Sequence, residues 1–226
     1  MSLASALGLP VFTNRCACCR QPGTDLCRSC RFALGCSRAS VVEGAGGTRI
    51  LAALQFEGAV RRAILGLKFA NQRAVARYLA DLVVRRLSAA DAEFDVVTWA
   101  PTSSRRARRR GYDQAELLAR HVARRLGIPC RRLLWRRHGA PQAGRGRAER
   151  LDGPGFRGRP AAAQLRVLLV DDVVTTGSTL HAAADALRAA GIGHVTCVAV
   201  AAAPQRAGRP RAATPPDRPP GRLEAA

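Results

Sequence analysis

Apolar residues recur every third or fourth position through the second quarter of the chain. Val60, Ile64 and Leu67 form one stripe, and Val75, Leu79, Val83 and Leu87 form the next. That period places one face of a helix on a core, so residues 48–90 are read as helical. Beyond them the pattern alternates. Phe94–Ala100 (FDVVTWA) is a continuous apolar run that ends at Pro101, as a buried strand would. Asp113 precedes a helix whose Leu118, Val122 and Leu126 share a face, with Glu116 as capping-box partner and Gly127 beyond its end. Ile128–Trp135 reads as another strand. Leu165–Val170 (LRVLLV) reads as a fully buried strand, Ser178–Ala190 as a helix closed by Gly191, and His194–Ala201 as the strand after it. Strand, helix and strand in this order make a right-handed parallel crossover, so the fold class is α/β. No internal repeat is evident.

Two stretches lack any period. Residues 136–163 are rich in Gly, Pro and Arg, and a loop that long inside a domain is usually functional. From Pro204 to Ala226 six prolines alternate with charges, which predicts disorder. The expected organisation is a module over 1–40, a domain over 41–203 and a tail over 204–226.

With 226 residues, 47% of them hydrophobic and 23% charged, the chain is ordinary globular material. No run approaches 18 apolar residues, which excludes a membrane span. The N-terminus, MSLASALGLPVFTNR, lacks a basic n-region and has too short an apolar core for a secretory signal, so a cytoplasmic protein is expected. Charge changes the picture more. The net charge is +21, and every basic residue except Lys68 is arginine. Residues 104–150 hold fifteen arginines against three acids (Asp113, Glu116, Glu149), a net +12. GC-rich codon usage would raise arginine everywhere; it does not explain the cluster. Such a field suits nucleic acid or phosphorylated metabolites.

Cysteines concentrate at the start. Cys16/Cys19 and Cys27/Cys30 are two C-x-x-C knuckles seven residues apart, four thiolates in the pairwise spacing of a tetrahedral zinc site. Disulfides are the rival reading, and are rare in a cytosolic protein. Cys18 and Cys36 are alternative ligands. Cys130 and Cys197 lie in apolar runs and read as core thiols.

The richest stretch is Val167-Leu-Leu-Val-Asp171-Asp172-Val-Val-Thr175-Thr176-Gly177-Ser178-Thr179. A buried strand delivers two carboxylates at its C-terminal end, where open parallel sheets bind ligands. The hydroxyls of Thr175, Thr176, Ser178 and Thr179 lie beside the first amides of a helix, a phosphate cradle, and Gly177 lets the backbone come close. Carboxylates beside a phosphate repel it unless they bind sugar hydroxyls or a divalent cation. The expected ligand is therefore a phosphorylated sugar, with its hydroxyls and a magnesium ion at Asp171 and Asp172. An ordinary helix cap needs one such residue, not this set.

This stretch resembles the 5-phosphoribosyl 1-pyrophosphate (PRPP) signature of type I phosphoribosyltransferases. The cysteine knuckles, Val60–Phe69 (VRRAILGLKF), Arg105–Gln114 (RRARRRGYDQ), Ala115–Gly127 and Pro141-Gln142-Ala-Gly narrow the resemblance to the ComF family over residues 14–201. It implies a phosphoribosyltransferase-like parallel sheet flanked by helices, with a small N-terminal zinc-binding module built on the four knuckle cysteines. Pro101–Ser104, including Thr102, would be the pyrophosphate loop. Arg105 and Arg110 would lie near it, and Pro141–Arg150 would be a hood over the substrate. The resemblance also implies a link to DNA uptake in natural transformation, with single-stranded DNA or competence proteins as partners. Tyr112-Asp113 stands where the family carries Phe-Asn, and Arg150–Phe156 is shorter than the family's stretch. Two activities remain open at this stage: transfer of phosphoribosyl to a nitrogen, and non-catalytic nucleic-acid binding regulated by PRPP or a nucleotide. An aromatic content of 4% tells against base stacking on single strands.

Overall fold

The computed structural model describes residues 14–87, 93–137 and 155–204. The hood residues Pro141–Arg150 and nearly all of the 204–226 tail lie outside them.

A five-stranded sheet carries the molecule, in the order β1-β2-β7-β6-β3. Its strands are β1 (Ser40–Glu43), β2 (Arg49–Gln55), β3 (Val96–Trp99), β6 (Arg166–Val174) and β7 (His194–Ala202). β2, β7, β6 and β3 run parallel, and β1 pairs antiparallel with β2 at one edge. A separate antiparallel ribbon joins β4 (Leu134–Arg136) to β5 (Phe156–Gly158).

Helices cover both faces. On one, α2 (Gly58–Phe69), α3 (Val75–Arg86) and α5 (Gln114–Leu126) bury Ile64, Leu67, Leu79, Val83, Leu118 and Val122 against Leu168 and Val170 of β6. On the other, α6 (Ser178–Ala189) buries Leu180, Ala183 and Leu187 against Ile50, Val167 and Leu169, with the β4–β5 ribbon beside it. The helical stripes Val60/Ile64/Leu67 and Val75/Leu79/Val83 are therefore core faces, as their period predicts.

Four local expectations are corrected. Residues 49–55 are strand, not helix: Arg49–Gln55 is an apolar run without helical period, framed by Gly46-Gly47 and Gly58, and it lies between β1 and β7. β6 does not stop at Val170. It runs through both acids to Val174, because β7 continues alongside and supplies partners up to Ala202. The strand read over 128–135 is shorter, reduced to Leu134–Arg136 after one bridge from Cys130 to Val97. The stretch read as a long loop contains β5. The ends of α5 hold. Asp113 accepts from the Ala115 and Glu116 amides, and Gly127 closes the helix at φ 72°. Glu116 does not reach back to the cap, since its carboxylate pairs with Arg120 at 2.6 Å.

The cysteine segment is not an appendage. α1 (Arg28–Gly35) and the knuckles send Leu26 and Leu34 into the core cluster of α2 and α3. No helix among the described residues is long and apolar enough to cross a membrane.

Candidate active site and metal centre

The four parallel strands deliver their C-terminal ends to one edge. There β6 turns through Thr175–Gly177 into α6, and β3 leads through Ala100–Ser103 into the short helix α4 (Ser104–Arg110). Gly177 holds φ at 76°, a left-handed value that costs other residues strain, and serves as the N-cap of α6 without a side-chain cap. The Thr176 hydroxyl lies 3.1 Å from that of Ser178. A shallow pocket here is lined by Asp171, Thr175, Gly177, Ser178 and Thr179. The Ser178 amide makes a long 3.5 Å contact to the Thr176 hydroxyl, and the first amides of a twelve-residue helix ringed by hydroxyls attract a phosphate.

Neighbouring residues of a strand point to opposite faces, which separates the two acids. Asp171 lies in the α6 pocket with the Thr–Ser loop. Asp172 is buried on the α2 side, where its Oδ2 meets Lys68 Nζ at 3.0 Å. The Asp172 amide donates to Asp171 Oδ1 at 2.7 Å, so the pair is braced internally. Burial, with the Asp172 charge adding, pushes the Asp171 carboxyl up to about 8. The Asp172 amide and Lys68 pull the other way.

On the α2 side opens a cleft of about 720 Å³ lined by Lys68, Arg105, Arg106, Arg109, Arg110 and Arg136, with no carboxylate among the described residues of its wall. α4 buries none of its residues and carries no acid in its first turn; Gly111 ends it at φ 76°. Arg110 lies over the Phe69 ring at 4.9 Å, and Arg136 donates to the Pro101 carbonyl at 3.3 Å. Burial and the neighbouring Arg106 lower the Arg136 pKa, while Asp171 and Asp113 oppose them. The cleft is a cationic basin with unspent potential.

The structure thus brings Arg105 and Arg110 around one cleft, with Asp172 behind it on Lys68, and Asp171, Thr175, Gly177, Ser178 and Thr179 around a separate pocket. Thr176 stands beside that pocket through Ser178. Pro101 and Thr102 border the site, but the Thr102 amide is committed: it donates to Asp113 Oδ2 at 2.8 Å. Asp113 therefore ties the loop after β3 to the N-terminus of α5. Sequence reasoning did not single out Lys68 and Arg136 as site residues. A lone lysine among 37 basic residues was the available signal for Lys68. Arg136 had none.

At the other end of α2, the sulfurs of Cys16, Cys19, Cys27 and Cys30 all lie within 4.8 Å of one another. Cys19 and Cys27 are 3.7 Å apart, matching the roughly 3.8 Å expected between thiolates on a tetrahedral zinc with 2.3 Å bonds. No disulfide joins any of them. Amides of Cys19, Cys27 and Cys18 stabilise the Cys16 thiolate and, against burial, bring its pKa to about 6. Cys18 is no ligand in this geometry: its thiol turns inward to the Ala59 carbonyl at 3.4 Å, and burial pushes its pKa to about 11. Cys36 is exposed beyond α1 and also stands outside the cluster. The four clustered cysteines could hold zinc.

Residues 113–214 match the family model described as the phosphoribosyl transferase domain. With that match, the parallel sheet with flanking helices is phosphoribosyltransferase-like. No curated protein matches the chain. Among solved structures, it is similar to glutamine PRPP amidotransferase from B. subtilis in complex with ADP and GMP, at 25% identity and a TM-score of 0.40, over 57% of this chain and 26% of that one. It is also similar to adenine phosphoribosyltransferase from Thermoanaerobacter pseudethanolicus (15% identity, TM-score 0.39, 62% of this chain and 85% of that one). A third is adenine phosphoribosyl transferase from Trypanosoma brucei with AMP, pyrophosphate and ribose-5-phosphate (15%, TM-score 0.40, 83% and 96%). The chain spans about a quarter of the amidotransferase.

Proposed function

We propose that this protein binds PRPP and transfers its phosphoribosyl group to a nitrogen acceptor with release of pyrophosphate. The observation that carries the reading is one carboxylate pair flanked by two anion sites, the Thr175–Thr179 cradle on one side and the six-cation cleft on the other. A ligand with phosphates at both ends and hydroxyls between them matches that order of charges. The cradle would take the 5-phosphate, the acids the ribose hydroxyls, and the cleft the pyrophosphate.

In the reaction a nitrogen lone pair forms the C1–N bond as the C1–O bond breaks. The electron pair leaves with pyrophosphate, and the acceptor's proton is lost to solvent. Positive charge builds on the ring and negative charge on the departing group, so Arg105, Arg106, Arg109 and Arg110 would stabilise the latter electrostatically. Asp171 and Asp172 face opposite sides of β6 and do not form a two-carboxylate metal cage; a magnesium ion fits only as one held by Asp171 and the ligand's own oxygens. Bound there, it would neutralise part of the leaving charge. The test is pyrophosphate release from PRPP, with ammonia, amines and nucleobases offered in turn. Release above the blank, lost in Asp171→Asn/Asp172→Asn, supports the reading; no release with any acceptor and no PRPP binding overturns it.

The resemblance to the ComF family supports a second reading, a role in DNA uptake through binding of single strands. The observation that favours it is Phe69, 59% exposed at the rim of the arginine cleft, where a base would stack beside or in place of the Arg110 guanidinium. Steep weakening of oligonucleotide binding with salt, and its loss in Phe69→Ala, would support this role.

A further inference from the structure

We propose that Lys68 is a shared counter-ion, held on Asp172 in the free protein and released to the pyrophosphate anion when sugar hydroxyls take over Asp172. The inference rests on the PRPP reading above and assigns a positioning and binding role within it.

Lys68 stands at the junction of two environments. Its Nζ is 3.0 Å from Asp172 Oδ2, with only 18% and 8% of the two side chains exposed, and the same residue lines the arginine cleft. Among the described residues Asp172 Oδ2 has no hydrogen-bond partner beyond this ion pair. A buried carboxylate stripped of the cation it pairs with is strongly destabilising, so Lys68 does not leave unless another donor arrives. Ribose hydroxyls are such donors. An anion in a cleft walled, among the described residues, by five arginines pulls Lys68 the other way.

The residue type fits this exchange. An arginine fork commits to planar, two-point pairing, whereas an ammonium on four methylenes is a point charge that turns between partners. In a chain that otherwise uses only arginine, this is the single lysine. The consequence is a coincidence requirement. Pyrophosphate alone must strip Asp172 of its counter-ion, and a sugar alone finds Asp172 already satisfied. A ligand carrying both groups satisfies every charge at once, and one whose ribose hydroxyls are removed does not.

The experiment measures inorganic pyrophosphate binding by calorimetry, without divalent metal, in the zinc-loaded full chain. In the wild type, adding ribose 5-phosphate should tighten pyrophosphate binding. Asp172→Asn frees Lys68, so pyrophosphate alone should bind on the order of tenfold tighter, the gain expected from one charge-assisted contact. Ribose 5-phosphate should then add nothing, and PRPP should bind more weakly than to wild type. Lys68→Met should weaken pyrophosphate binding and abolish the enhancement; this arm stands if Asp172→Asn does not fold. If Asp172→Asn binds pyrophosphate no better while wild type still binds PRPP, the counter-ion role is wrong and the PRPP reading survives. If wild type binds no PRPP, both fall.

Discussion

Replacing Gly177 with alanine should damage the phosphate cradle. The backbone there has φ 76°, and an alanine in the left-handed region costs about 1–2 kcal/mol. The new Cβ would also lie 2.7 Å from Gly44 Cα and 2.8 Å from Ile50 Cδ1. The isoleucine methyl can turn aside. The Gly44 backbone belongs to the tight β1–β2 turn, where the Gly44 amide donates to the Thr48 carbonyl at 2.8 Å, and cannot. Overpacking of this kind adds about 1–3 kcal/mol. The sum, roughly 2–5 kcal/mol, leaves a domain folded at room temperature but lowers its melting temperature on the order of 10 °C. Because the strain is relieved by moving the turn that presents the first α6 amides, affinity for ribose 5-phosphate should fall about tenfold or more.

The matched control is Gly44→Ala. Gly44 is not among the positive-φ glycines. Its added Cβ meets Ile50 Cδ1 at 3.1 Å, the Thr48 carbonyl oxygen at 3.2 Å and Gly177 Cα at 3.3 Å, tight contacts that shifts of a few tenths of an ångström relieve. It should cost about 1 kcal/mol or less. Urea denaturation and a ribose 5-phosphate titration on both variants decide the matter. Equal stability and equal affinity in wild type and Gly177→Ala would refute the claim that the left-handed backbone and close packing at Gly177 shape the cradle.

Other expectations concern the metal, the loop after β3 and proton linkage. Metal analysis of the wild type should find one zinc, which Cys16→Ser should lose while melting at a lower temperature, because Leu26 and Leu34 reach the core through the knuckles; Cys36→Ser should keep both properties. Asp113→Ala removes the α5 cap and the partner of the Thr102 amide, a loss of about 2–4 kcal/mol measurable in urea. Asp171, lifted from 3.8 to about 8, keeps its proton in the native state through a window where the unfolded chain has lost it, so it lowers stability as pH rises from about 4 to 8. A ligand that needs this carboxylate ionised should release up to one proton at pH 7. Calorimetry in buffers of different ionisation heat reads that release, and Asp171→Asn should abolish it.

Much of the site was legible because its signals are local. Asp113 and Gly127 announce the ends of α5 by cap chemistry alone, and the run from Asp171 to Thr179 lies on consecutive residues around one turn. What escaped depends on neighbours distant in the chain. β2 is a strand because β7, nearly 150 residues on, pairs with it, and its own apolar run carries no period to say so. β6 continues past two acids because the same neighbour carries the ladder on. That continuation puts Asp171 and Asp172 on opposite faces, where adjacency in sequence suggested a side-by-side pair. The Lys68–Asp172 ion pair and the 2.8 Å hydrogen bond between Thr48 Oγ1 and His181 Nδ1 join residues more than a hundred positions apart. No local pattern encodes either. Arg136 was one arginine in a basic run until β4 aimed it at Pro101.

The central claim is that the β6–α6 turn and its two acids bind PRPP. Calorimetric titration of PRPP with magnesium into zinc-loaded protein tests it most directly, repeated on Asp171→Asn/Asp172→Asn. Saturable micromolar binding is expected in the wild type, and its loss in the folded double variant. No binding to folded wild type, or binding that persists unchanged without the two carboxylates, would contradict it.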